Sequence, residues 1–94
     1  MKIDECIEAV HAKHRLATLE AQAFDVVGEI RLVIYMNCDY FDQCFCEIGN
    51  SEHYQITNMR ADFYFGQTLL GFKVYPVKDV SHPDFLIFEL ESKR

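Results

Sequence analysis

Ile3, Ile7, Val10, His14, Ala17, Ala21 and Phe24 fall at alternating intervals of four and three. That is the spacing of one face of an amphipathic helix, and it predicts a helix over about residues 4–24. Asp4, Glu5 and Glu8 occupy its first turns, where carboxylates suit the positive end of the helix dipole. Gly28 offers the left-handed residue that ends a helix.

Beyond Gly28 the apolar period falls to about two, the signature of strands. A first strand is expected from Glu29 to Cys38, with Ile30, Leu32, Ile34, Met36 and Cys38 on one face and Arg31, Val33 and Tyr35 on the other. Residues 39–43 read as a turn, and Cys44–Ile48 as a second strand closed by Gly49-Asn50-Ser51. His53–Thr57, Arg60–Phe65, Thr68–Tyr75 and Phe85–Glu91 follow as strands. Gly66-Gln67 forms a tight connection, Pro76 is a strand stop, and Pro76–Asp84 is an irregular loop. The expected fold is α+β: one N-terminal amphipathic helix packed on a five- or six-stranded antiparallel meander sheet, with residues 1–94 a single domain. One helix covers one face of a sheet, so the other face is expected to be open. Tyr35, Phe45 and Tyr64 are placed on it, and a homodimer paired through it is one outcome.

Composition sharpens this picture through charge. The 94 residues carry a formal charge of -6, and the nine Lys and Arg are scattered. Phosphate binding needs clustered bases, so no direct nucleic-acid partner is expected; an acidic surface suits a basic one. Residues 1–6 hold no apolar run of the signal-peptide kind, and no segment approaches the roughly 20 apolar residues of a membrane span. The expectation is a cytoplasmic protein with reduced thiols and no membrane partner.

Between Arg31 and Arg60 the chain has no Lys or Arg, but holds Asp39, Asp42, Glu47, Glu52 and three of its four cysteines. In the hairpin reading Cys38 lies opposite Cys44 and Met36 opposite Cys46, which turns these cysteines into the core as small apolar side chains. Cys44-Phe45-Cys46 also lacks the two to four intervening residues of a zinc knuckle, so neither metal nor cofactor is assigned. His11 and His14 lack the HExxH pattern, and His14 is expected buried or half-buried on the apolar stripe. Asp79, His82 and Asp84 form the one loop cluster with catalytic residue types, but no phosphate loop or nucleophile elbow accompanies them. No catalytic residue is assigned, and the balance leans away from an enzyme.

The leading expectation is a non-enzymatic, small acidic binding protein that occupies or blocks a basic surface of a protein partner, including a nucleic-acid-binding one. It would act in the manner of an inhibitor, immunity or decoy protein. Asp39, Tyr40, Phe41, Asp42, Glu47 and Glu52 are its candidate contacts: carboxylates steer the encounter, and a Tyr-Phe pair at a hairpin tip anchors it. One alternative is a small-ligand domain or small enzyme with a cavity between helix and sheet, lined by His14, Met36 and aromatics from Phe63, Phe65, Phe72 and Phe88. The other is an assembly subunit that self-associates through the open sheet face.

Overall fold

A computed structural model describes residues 2–24, 30–52 and 59–90. Its elements in chain order are α1 (Lys2–Ala23), β1 (Arg31–Asn37), α2 (Cys38–Asn50), α3 (Met59–Tyr64), β2 (Thr68–Leu69), β3 (Phe72–Val77) and β4 (Phe85–Leu90). The α+β class holds. The sheet, however, has four strands in the order β2-β3-β1-β4, and it is mixed rather than an antiparallel meander. β1 runs parallel to β3 and antiparallel to β4, while β2 and β3 form an antiparallel hairpin.

The difference begins at Asn37. Its side chain accepts a hydrogen bond from the Asp39 backbone N–H at 2.9 Å, a helix N-cap, and Asp39 then lies at the positive end of the helix it starts. Tyr40, Cys44 and Ile48 follow at intervals of four and are buried together with Phe41. Residues 39–48 are therefore helical where a turn and a strand were expected. A parallel partner for β1 needs a crossover of a dozen or more residues, and the segment holding α2 and α3 supplies it.

The expected strand Arg60–Phe65 is likewise helical, within α3. Only Phe63 of its alternating trio Ala61, Phe63 and Phe65 is buried; it stacks on Phe41 with ring centroids 4.3 Å apart. Gly66 ends α3, because a Cβ there would lie 2.8 Å from the Asp62 carbonyl oxygen. The expected strand Thr68–Tyr75 is split by a two-residue turn in which Leu70 (φ 55) and Gly71 (φ 82) both have positive φ, the geometry of a type I′ hairpin. The expected strand His53–Thr57 and the Gly28 helix end lie outside the described residues.

The inward face of the sheet presents Leu32, Ile34, Met36, Leu69 and Val74 to Ile3, Cys6 and Val10 of α1 and to the buried stripe of α2, forming one core. α2 also fastens the start of α1. Glu47 Oε1 accepts the Ile3 backbone N–H at 2.9 Å, and Tyr40 donates its hydroxyl to the Lys2 carbonyl at 2.6 Å. Both helices thus lie on one side of the sheet, and the described elements leave its other side uncovered.

Candidate functional site

Strand parity and register define that uncovered side. Val33 pairs with Lys73 on β3 and with Phe88 on β4; two residues on, Tyr35 pairs with Tyr75 and Leu86. Paired residues share a face, so these six point outward, joined by Leu90 opposite Arg31. Tyr35 stacks on Tyr75 (centroids 5.5 Å apart, rings 25° apart) and takes the Phe88 ring edge-on at 5.7 Å. The Lys73 ammonium lies 5.8 Å from the Tyr75 ring centre. Val33, beneath them, is only 4% exposed, whereas Tyr75 is 44% and Phe88 and Leu90 are each 49% exposed. The result is a half-exposed aromatic and aliphatic surface with its own floor.

Its charge differs from that of the molecule. The charged residues at outward positions of the described strands are Arg31 and Lys73, both bases, in a chain of net charge -6. The carboxylates of α1 and α2 (Asp4, Glu5, Glu8, Glu20, Asp39, Asp42 and Glu47) lie in the helical layer. Stacking on a nucleobase needs a free aromatic face. Here Tyr35 and Tyr75 turn ring faces toward each other, with Lys73 over Tyr75 and Phe88 edge-on to Tyr35. The arrangement suits apolar contact with a complementary protein surface.

The residues expected to bind a basic partner do not share a tip. Asp39, Asp42 and Glu52 are exposed, but Tyr40 and Phe41 are 2% and 6% exposed and belong to the core. Glu47 is half-buried and caps α1. In a helix Tyr40 and Phe41 turn toward the sheet while Asp39 and Asp42 turn away, which separates the proposed anchors from the proposed charges.

The other candidate groups are equally dispersed. Successive helical residues turn by about 100°, so Cys44 and Cys46 point to nearly opposite sides. Cys44 is buried against the core, Cys46 is exposed and Cys38 is half-buried, contrary to the expectation that strand parity sends all three inward. Among the described residues no group of three His, Cys, Asp or Glu side chains converges as a metal site would require. His14 is exposed rather than buried, its ring tilted against Phe72 with centroids 5.8 Å apart. The polar groups of the 78–84 loop serve its own backbone. Asp79 accepts both the N–H and the hydroxyl of Ser81, which holds its carboxyl below the usual range. Asn37 donates to the Asp79 and His82 carbonyls.

The expected cavity lining is also dispersed. Met36 and Phe63 are sealed in the core, Phe65 is 82% exposed, and Phe88 lies on the far side of the sheet. Phe45 and Tyr64 stack on each other at 4.4 Å between α2 and α3, so of the three aromatics expected on the open face only Tyr35 is there. Tyr75, Leu86, Phe88 and Leu90 complete it. Their signal was present in the sequence: from Phe85 to Leu90 every residue but Glu89 is apolar, so β4 brings apolar side chains to both faces.

No helix among the described residues is long and apolar enough to cross a membrane. In comparison with known proteins, no family model, no curated protein and no solved structure matches the chain.

Proposed function

We propose that this chain is a non-catalytic assembly subunit whose working surface is the open face of its sheet, occupied by a second copy of the chain. The observation that carries this reading is the outward cluster of Tyr35, Tyr75, Leu86, Phe88 and Leu90, each between 38% and 49% exposed. Three strands of six or seven residues give a patch of about 20 by 14 Å. Two such patches face to face bury about 600 Å2 in total, the size of a weak, concentration-dependent interface. Sheet-to-sheet pairing keeps the acidic helical layers of the two copies on opposite outer sides, while the like-charged Arg31 and Lys73 of the two copies oppose it and set its register.

Light scattering at micromolar concentration tests this directly. The wild-type chain is expected at twice the monomer mass or more, and Tyr75→Glu, which puts a carboxylate in the middle of the patch, is expected to lower the mass without changing the circular dichroism. A wild-type chain that remains monomeric at several hundred micromolar ends the reading.

A second reading keeps the basic partner and moves it to α2, which carries Asp39, Asp42 and Glu47 and no Lys or Arg. With Tyr40 and Phe41 buried, such docking rests on charge alone and is weak and strongly salt-dependent. Reversing Asp39 and Asp42 to Lys slows association with a basic partner at low salt; an unchanged rate removes this reading.

A further inference from the structure

α1 carries two apolar stripes. Ile3, Cys6, Val10 and Ala17 are buried in the molecule. Ala12, Leu16, Leu19 and Ala23 recur at intervals of four, three and four on another side of the helix, and all four are exposed; Leu16 is 53% and Leu19 57% exposed. Intervals of three and four are those of the a and d positions of a coiled coil, with Leu16 and Ala23 at a and Ala12 and Leu19 at d. The flanking g positions are then Glu8 and Arg15, and the e positions Lys13 and Glu20.

These flanks specify a partner. In a parallel, in-register helix pair each g residue faces the e residue five places further along the other helix. Glu8 meets the partner's Lys13, and Arg15 meets the partner's Glu20, so both charged flanking contacts join opposite charges, while Gln22 at the last g position is neutral. In its own helix none of the four has a Lys, Arg, Asp or Glu of opposite sign three or four places away, so the pattern serves no intrahelical ion pair. An antiparallel pair matches e with e and g with g. It places Lys13 against Glu20 only when centred between residues 16 and 17, and Glu8 against Arg15 only when centred between 11 and 12. It cannot satisfy both at once.

We propose that the exposed stripe of α1 is a second self-association surface, a short parallel two-helix seam with another copy of the chain. The usual barrier to so short a coiled coil is helix nucleation, and here the first turns of the helix are already held on the core by Ile3, Cys6 and Val10, with Ala17 buried further along. The seam spans only about 17 Å, from Ala12 to Ala23 at about 1.5 Å per residue, so alone it is weak. It rests on the assembly reading in one respect. Combined with sheet-to-sheet pairing, a second two-fold surface takes the assembly past a dimer, to a closed tetramer or an open chain.

Sedimentation velocity on the full chain tests the seam. The wild type is expected above dimer mass, and Leu16→Asp at dimer mass. Arg15→Glu and Glu20→Arg are each expected to weaken the step beyond the dimer by roughly tenfold, and the double swap, which restores opposite charges across a parallel seam, to recover it within about twofold. Equal masses for the wild type and Leu16→Asp overturn the seam, as does a double swap that recovers nothing. Tyr75→Glu separates the two surfaces. If it leaves every mass unchanged while Leu16→Asp lowers it, the sheet-face reading falls and the seam stands.

Discussion

Raising the pH from 8 to 10 should destabilise this protein through two thiols. Cys6 on α1 and Cys44 on α2 are both fully buried, and burial pushes each thiol from its ordinary value of 9.0 up to about 12. Proximity adds to the shift of Cys44, since a Cys6 thiolate and the Glu47 carboxylate both oppose a negative charge there. The folded state therefore keeps both protons where the unfolded chain gives them up. The stability this contributes is complete below pH 9, declines as the unfolded thiols ionise, and is lost by about pH 12. Each thiol costs about 1.4 kcal/mol per pH unit inside that window, so the pair removes about 3 kcal/mol by pH 10. A domain of this size holds on the order of 5–10 kcal/mol in all. Urea unfolding at a series of pH values measures the effect: with a slope of about 1 kcal/mol/M, the midpoint should fall by about 2–3 M between pH 8 and 10. The Cys6→Ala/Cys44→Ala double variant starts from lower stability, having lost packing, but its midpoint should stay nearly flat over the same range. Equal pH slopes for wild type and double variant would refute the buried-thiol argument.

Three further outcomes follow from single contacts. Leu70 holds a positive φ in the first position of its hairpin turn, so Leu70→Asn should raise stability by about 0.5–1 kcal/mol in the same urea assay. Glu47→Ala removes the acceptor for the Ile3 N–H and a negative charge from the start of α1, lowering stability by about 1–2 kcal/mol; Glu47→Gln, which keeps the acceptor, should lose less than half of that. Phe88 is 49% exposed, which leaves about 100 Å2 of each ring to bury, worth about 2.5 kcal/mol per copy. Half of that from two copies means Phe88→Ala weakens sheet-to-sheet pairing by roughly fiftyfold, read by sedimentation equilibrium in the Leu16→Asp background.

The elements legible in the sequence are those whose period admits one reading. α1 repeats helical spacing over six turns, and β1 and β4 are short apolar runs rich in β-branched and aromatic residues. α2 was illegible because Tyr40, Cys44 and Ile48 are spaced by four, which satisfies a helix stripe and one face of a strand alike. The deciding residue is Asn37, which ends a strand and caps the helix that follows at once, whereas residues 39–43 taken alone fit a turn equally well. Pro76 was misleading for a reason of geometry. The Val74 N–H donates to the Gln67 carbonyl, away from β1, and alternation sends the position of Pro76 N to that same side. The registered pairing of β2 with β3 involves only Phe72 and Lys73, so beyond it the missing N–H of Pro76 leaves no ladder bond unmade. The open sheet face was anticipated, but two of its three expected aromatics were misplaced, because Phe45 and Tyr64 lie on helices.

In the stretch without bases between Arg31 and Arg60 charge and aromatics coincide, and in the fold most of these groups serve construction. Asp39 sits at the start of α2, Glu47 caps α1, Tyr40 bonds the Lys2 carbonyl, and Phe41 stacks on Phe63. Each of these uses satisfies a helix terminus or fills the core, and each removes a group from a binding surface. Construction does not explain the outward face of the sheet in the same way. A face left to solvent is stable with polar side chains, yet Tyr35, Tyr75, Leu86, Phe88 and Leu90 stand there half-exposed above a Val33 already sealed beneath them. About half of each side chain is already buried in the monomer, against Val33 and one another, and the half left exposed is what the proposed sheet-to-sheet pairing would cover.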